Sequence, residues 1–254
     1  MKQTLLFIAI IVFHLGVIGQ SKSAASTEMK VDLPDETEAA SLVDKGSVQL
    51  ETALLLNRYH QESPSIIGQV LLRVGLSDRV ELRALLEEGK NRDTYFDQTV
   101  QSTTPLGIGS KISLIKDHKW LPDMTFVGQL CLPVTSKSSR QREHWSPILL
   151  MAFENKLSPK WELEYNAGGQ QEIFSSQWVW LANGSLHYHV SEPLEVFLEY
   201  YAQYGVGKSG HNNIGGGLTY QLGNDVQVYL SAGSSVGYNE PNQFAAGGIA
   251  FRLP

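Results

Sequence analysis

The chain has 254 residues, a formal net charge of −6 and a single cysteine. Its 20 Lys and Arg residues are scattered among 26 Asp and Glu residues, so no basic stripe is available for phosphates and nucleic acid is not an expected partner. A single cysteine also excludes an intramolecular disulfide framework. The hydrophobic fraction of 42% is ordinary and does not decide the fold class.

The N-terminus has the layout of a secretory signal peptide. Lys2 precedes an apolar stretch, Leu5–Ile18, which is interrupted only by His14 and Gly16. This stretch is shorter than the roughly 20 apolar residues that a spanning helix needs, although a single anchor is the alternative interpretation. We predict a signal peptide over 1–19. No later apolar run has the length of a membrane helix, so a membrane-spanning fold would have to use strands.

Residues 20–45 form an acidic segment without an alternating apolar pattern. A flexible periplasmic tail is the simplest interpretation. The alternative hypothesis is a small plug that folds into the mouth of a barrel against Arg73, Arg79 or Arg83. The acidic residues of this segment are Glu28, Asp32, Asp35, Glu36 and Glu38.

Residues 46–254 contain twelve segments of about ten residues in which apolar and polar side chains alternate. Such alternation predicts β-strands with two different faces. The predicted strands cover approximately 47–59, 65–75, 79–88, 106–116, 124–134, 147–157, 160–168, 177–190, 194–205, 212–222, 226–236 and 243–253.

The charged residues keep to one face of the predicted strands. In Leu194–Gly205, Val196 and Leu198 share one face, whereas Glu195 and Glu199 share the other. A Lys or Arg that faced lipid near the middle of the bilayer would cost roughly 2–4 kcal/mol, whereas a barrel lumen is wet. The pattern therefore predicts a lipid face and a lumen face, although a soluble sandwich with one polar face would also alternate.

The connections favour a barrel, because tight turns alternate with longer loops along the chain. The tight connections are 76–78, 157–159, 191–193 and 223–225, and the longest of the others are 89–105 and 136–146. We predict an all-β, antiparallel up-and-down transmembrane β-barrel of about 12 strands, with short periplasmic turns and longer extracellular loops. The predicted location is the cell outer membrane. The expected partners are its lipid and lipopolysaccharide and, from the alternating last strand, the barrel assembly machinery.

The ionisable side chains on the predicted lumen face are the candidate functional residues. They could form a network of opposite charges that braces the barrel, or a selectivity surface along the path of a permeating solute. The candidates are Glu51, Arg73, Glu81, Arg83, Lys111, Glu162, Glu164, His187, His189, Glu195 and Glu199.

We predict no metal, cofactor or catalytic residue. His187 and His189 lie two positions apart and could bind zinc together with Glu195 or Glu199, but solvated lumen histidines are the preferred interpretation. The triplet 144–146 (His-Trp-Ser) has the His-x-Ser spacing of the outer-membrane phospholipases. However, the residues that follow it do not match the calcium loop of that family. The chain is therefore not expected to be an enzyme.

Several segments together resemble one known family. D-L-P-D-E-T-E at 32–38 and G-S-V-Q-L-E at 46–51 are similar to its opening, and L-R-V-G-L-S-D-R-V-E-L-R at 72–83 resembles its most specific motif. Shorter similarities lie at 130–133 and 161–168. This is the outer-membrane, transporter-like family named for the meta-pathway of phenol degradation. The resemblance implies a barrel that binds or passes small organic solutes, hydrophobic or aromatic ones among them. A structural or adhesive surface barrel without transport is the alternative.

Overall fold

The computed structural model describes residues 29–33, 36–58, 64–93, 98–103, 106–132, 145–172, 177–207, 210–236 and 242–253. The predicted signal peptide, 1–19, lies outside the described residues. Within the described ranges, no helix has the length and apolar character needed to cross a membrane.

The regular structure described is entirely β-sheet. The strands are β1 Val48–Arg58, β2 Ser65–Ser77, β3 Val80–Asp93, β4 Gln98–Thr103, β5 Leu106–Ile115, β6 Asp123–Cys131, β7 Ser146–Lys156, β8 Trp161–Gln171, β9 Trp178–Ser191, β10 Leu194–Gly205, β11 His211–Gln221, β12 Val226–Val236 and β13 Gln243–Leu253.

Twelve of these strands close into an antiparallel barrel. Each pairs with its neighbour in the chain, except that β3 pairs with β5, and the ring closes where β1 pairs with β13. At the closure, Gln49 lies opposite Arg252 on one side and Arg73 on the other. Closure leaves the barrel without free sheet edges. The twelve predicted strands correspond to these twelve, and the predicted fold class is confirmed.

The interpretation of 89–105 as a loop was wrong. Strand β3 continues to Asp93 and pairs there with β4, which is bonded only to β3 and so extends the wall locally beyond the barrel ring. Strand β4 has six residues, and this is too short an alternation to distinguish from a polar loop in the sequence.

The two faces of the wall have the polarity of a membrane barrel rather than of a soluble protein. Leu54 and Leu198 are 63% and 59% exposed on the outer face. Glu51 and Arg73 are buried on the inner face, at 0% and 1% exposure. Since strand residues alternate between faces, the apolar belt faces outward around the ring and the charged residues face the lumen.

The two ends of the barrel differ in the length of their connections. At one end, the short-turn end, the barrel strands are joined by two to seven residues; at the other, the long-loop end, by five to fourteen. Exposed tryptophans mark both ends: Trp120 and Trp161 at the short-turn end, and Trp145 and Trp180 at the long-loop end. Such aromatic residues are typical of the two membrane interfaces.

Candidate functional site

The lumen contains part of the chain itself. Residues 29–33 and 36–45, here called the luminal segment, precede β1 and pack against the inner face of the wall through two apolar contacts. The first is made by Met29 and the second by Ala40, and both side chains are almost fully buried. Their buried wall partners are Ala53, Tyr229 and Ala250 for Met29, and Val127, Leu150 and Ala152 for Ala40.

Carboxylates of the wall hold the main chain of the luminal segment. Glu51 Oε2 accepts the N–H groups of Asp32 and Leu33 at 2.8 and 3.1 Å. On β3, Glu81 Oε2 accepts the N–H of Val43 at 2.8 Å. A buried carboxylate must be hydrogen-bonded or neutralised, and these contacts supply part of that requirement.

A second set of polar contacts lies farther around the ring. Glu199 Oε1 accepts the N–H of Glu36 at 2.9 Å and the hydroxyl of Thr37 at 2.6 Å. The amide of Asn166 pairs with the main chain of Glu38 in both directions, accepting at 2.7 Å and donating at 2.8 Å. The segment is therefore bonded to β8 and β10 as well as to β1 and β3.

One close approach requires a glycine. A Cβ atom at Gly75 would collide with the carbonyl oxygens of Val43 and Asp44. Gly75 also donates its N–H to Ser47 and accepts the N–H of Gly46. A larger residue at 75 would displace the last turn of the luminal segment from β2.

Three cations from neighbouring strands form one side of the lumen, which we call the cationic wall: Arg73 on β2, Arg83 on β3 and Lys111 on β5. All three are buried. Arg73 is held by carboxylates of the barrel itself, with Nη1 at 3.0 Å from Glu51 Oε1 and Nε at 2.8 Å from Glu81 Oε1.

The luminal segment adds two carboxylates to the cationic wall. Asp32 Oδ2 lies 2.7 Å from Lys111 Nζ, 3.1 Å from Arg73 Nη1 and 3.6 Å from Arg83 Nη1. Glu38 Oε2 lies 2.6 Å from Arg83 Nη1 and 3.1 Å from Lys111 Nζ. Lys111 also donates to the carbonyl of Ala39 at 3.0 Å. The segment and the wall thus share one ionic cluster.

The electrostatics of this cluster are uneven. Burial raises the pKa of Glu38, but Arg83 and Lys111 outweigh it and hold that pKa below the usual value. For Asp32, burial dominates and raises the pKa to about 6, against the lowering effect of Arg73 and Lys111. Four carboxylates face three cations here, so one carboxyl is less well compensated than the others.

The opposite side of the lumen is acidic. The acidic wall consists of Glu154 on β7, Glu162 and Glu164 on β8, and Glu195 on β10. The luminal segment places Lys30 Nζ 2.6 Å from Glu162 Oε1 and 3.7 Å from Glu164 Oε1. Burial lowers the pKa of Lys30, but Glu164 and Glu162 outweigh this effect and raise it above the usual value.

The two histidines considered as alternative zinc ligands contact Glu195 of the acidic wall. His187 Nδ1 lies 3.0 Å from Glu195 Oε1, and His189 Nδ1 lies 3.2 Å from Glu195 Oε2. Glu199, the other carboxylate considered, instead binds the luminal segment. Within the described ranges, the one group with the spacing of a metal site is Glu154, Glu162 and Glu164, whose ligand atoms lie within 4.8 Å of one another. Lys30 is the cation among them.

Of the eleven residues predicted from the sequence, nine are buried, whereas His189 and Glu195 are half-buried. The structure divides them between the cationic wall with its carboxylates, the acidic wall with its histidines, and the Glu199 contact. Arg79, considered as a partner for the N-terminal segment, is instead exposed in the turn after β2. Sequence reasoning missed Glu154, although it shares the phase of the lumen-facing Ile148, Leu150 and Ala152.

The described residues give no support to the phospholipase alternative. Ser146 is buried at the first position of β7, and its hydroxyl donates to the carbonyl of Gln171. His144 lies outside the described residues.

Solved structures of outer-membrane barrels share this fold, among them these three. An outer membrane channel from Pseudomonas putida F1 has a TM-score of 0.62 at 14% identity and covers 88% of this chain and 99% of that one. The NanC porin has a TM-score of 0.57 at 11% identity, over 80% and 100%. The translocator domain of the autotransporter NalP from Neisseria meningitidis has 0.54 at 10% identity, over 99% and 98%. At these identities the likeness establishes the fold.

The sequence comparisons give one family. The model described as “Putative MetA-pathway of phenol degradation” matches residues 31–253, which include the luminal segment from Val31 onward and the barrel. No curated protein matches the chain.

Proposed function

Because the chain belongs to the family described as “Putative MetA-pathway of phenol degradation”, and its fold is that of outer-membrane barrels, we propose that it is an outer-membrane channel for small organic solutes. We further propose that the luminal segment is a plug that closes the channel. In this proposal the short-turn end faces the periplasm, as in other barrels of this kind.

One observation carries the proposal: the luminal segment bridges opposite sides of the lumen. Lys30 binds the acidic wall and Asp32 binds the cationic wall, although the two residues are only two positions apart. Two residues of extended chain span roughly 7 Å. A twelve-stranded lumen is only moderately wide. A chain that contacts both sides within this distance occupies the path that a solute would take.

The side chains at the long-loop end of the lumen favour a small organic molecule as the transported solute. Toward the long-loop end, most of the side chains that point into the lumen are neutral, and many of them are apolar or aromatic. They include Leu55, Ile67, Val179, Leu181, Tyr201 and Phe244. Such a lining suits hydrophobic or aromatic molecules better than bare ions. The channel from Pseudomonas putida F1 and the NanC porin are described as an outer membrane channel and a porin, in agreement with transport.

Conductance in planar bilayers tests the proposal. The mature chain should conduct weakly, and deletion of residues 20–45 should raise conductance severalfold, because this removes the segment from the path. The control is gel mobility before and after heating, since a closed barrel resists unfolding until heated. A folded deletion variant that conducts no better than the mature chain would favour the alternative, a structural or adhesive barrel without transport.

A further inference from the structure

We infer that the cationic wall is a binding site for a small dicarboxylate solute, and that two carboxylates of the luminal segment occupy this site in the closed state. The inference rests on the proposed channel function. The inference specifies the class of solute that the channel would carry: organic acids with two carboxylates joined by a short spacer.

The three cations of the cationic wall differ in the source of their ion-pair partners. Arg73 has two carboxylates of the barrel, Glu51 and Glu81, on neighbouring strands. For Arg83 and Lys111, in contrast, the ion pairs made with described residues all come from the luminal segment. When the segment leaves, Arg83 and Lys111 lose these ion pairs and face the lumen as positive charges, with Glu81 on β3 opposite Lys111. An anionic solute that entered the lumen would restore the lost ion pairs.

The segment shows what kind of anion fits. Asp32 Oδ2 and Glu38 Oε2 lie 2.7 and 3.1 Å from the same nitrogen, Lys111 Nζ. Both oxygens also lie within 3.6 Å of Arg83 Nη1. Two carboxylates that meet on one ammonium group and one guanidinium group correspond to the two ends of a short dicarboxylate.

The segment is an imperfect ligand for this site. Neither carboxylate oxygen of Asp32 makes a hydrogen bond of good geometry, and the buried Nε of Arg83 has no hydrogen-bond partner. A free dicarboxylate is not held by a main chain, so it can align with Arg83 through two parallel N–H···O bonds. It can therefore compete with the segment for the site.

Chemical rescue in the full mature chain tests this inference. The double variant Asp32→Ala, Glu38→Ala removes both carboxylates and the space they fill, and it keeps the main-chain contacts of the segment at these positions. Succinate should raise the unfolding temperature of the detergent-solubilised variant, because a ligand that binds only the folded state stabilises it. Butyrate, which has four carbons but one carboxylate, should bind about tenfold more weakly, since it lacks one charge-assisted contact.

Two further variants locate the effect. Adding Arg83→Gln to the double variant should abolish the preference for succinate. Adding Lys116→Gln should not, because Lys116 is exposed beyond the end of β5. Equal stabilisation by succinate and butyrate, or a preference that survives Arg83→Gln, would overturn the dicarboxylate site.

If the double variant does not assemble, the unaltered chain gives the answer. Succinate should then increase bilayer conductance more than butyrate at equal ionic strength, because it displaces the segment. In a chain that conducts, an equal response to the two acids would overturn the inference; in a chain that does not conduct, equal stabilisation of the folded chain by the two acids would overturn it. This failure is distinct from failure of the channel proposal: deletion of residues 20–45 can open a channel that has no preference for dicarboxylates, and a barrel that never conducts can still bind succinate.

Discussion

The two charged walls of the lumen are neutralised in different ways. In the cationic wall, Arg73 has counter-ions within the barrel itself, since Glu51 and Glu81 hold it before any contribution from the luminal segment. The acidic wall receives its lysine, Lys30, from the segment. The comparison teaches that Arg73 belongs to the framework of the barrel, whereas Lys30 belongs to the docking of the segment. Stability and closure should therefore respond to different residues.

The largest effect is expected from a substitution that introduces a charge on the lipid face of β10, a strand of the acidic wall. Leu198→Arg should prevent membrane assembly, because an arginine near the bilayer midplane costs roughly 2–4 kcal/mol. The neighbouring Glu199→Gln should still assemble, since residue 199 faces the lumen. The heat-modifiable band in the membrane fraction measures assembly. Equal loss in both variants would show that β10 has a different phase and that the acidic wall is not built as described.

The next effect tests Arg73 as a framework residue. Arg73→Ala should lower the free energy of unfolding by about 3–5 kcal/mol, because it leaves buried carboxylates unpaired. Adding Glu51→Ala should recover part of this loss. Arg79→Ala, an exposed arginine on the same hairpin, should change stability by no more than about 0.5 kcal/mol. Denaturant titration of the detergent-solubilised barrel would measure all three.

If Arg73→Ala left stability unchanged and altered only the preference between anionic and cationic solutes, Arg73 would be part of the selectivity surface. The distinction between framework and docking residues would then fail.

A smaller effect is expected from the acidic wall. Lys30→Met should weaken docking of the segment by about 1–3 kcal/mol, since Glu162 and Glu164 would lose their nearby cation. Bilayer conductance should rise, with an increased preference for cations over anions, while the unfolding midpoint should change less than for Arg73→Ala. Lys45→Met, at an exposed position of the same segment, is the control. Identical conductance of the two variants would show that Lys30 does not help to hold the segment in the closed position.

The smallest effect concerns a single hydroxyl. Thr37→Val removes the donor to Glu199 but keeps the N–H of Glu36 in place, so docking should weaken by about 1 kcal/mol. Brief openings should become more frequent in single-channel records. Ser41→Ala is a matched control, because the buried hydroxyl of Ser41 makes no hydrogen bond. More openings in Ser41→Ala than in Thr37→Val would contradict the assignment.

The strands and their two faces could be predicted from the sequence because a period of two is a local property. The phase that separates Leu198 from Glu199 is visible in the sequence and is present in the structure. Strand β4 could not be recognised, since its six residues pair only with β3. Glu154 could have been recognised, because it shares the lumen-facing phase of Ile148 and Ala152.

The course of the luminal segment could not be predicted in the same way. It has no periodic pattern, and its contacts are long-range: Lys30 and Glu162 are separated by 132 residues. Its acidic composition indicated a basic partner, and Arg73 and Arg83 were among the candidates. The dependence on Lys30 was not foreseen, because one lysine in an acidic segment has no distinctive signal. Such contacts depend on closure of the barrel, which places distant strands around one space.

The main-chain contacts of the luminal segment have an evolutionary consequence. Glu51, Glu81 and Glu199 each accept a backbone N–H, a group that every amino acid except proline carries. The barrel can therefore retain the segment while the side chains at positions such as 33 and 43 drift. Among relatives, these three wall glutamates should vary less than the residues they hold, and proline should be excluded at positions 32, 33, 36 and 43.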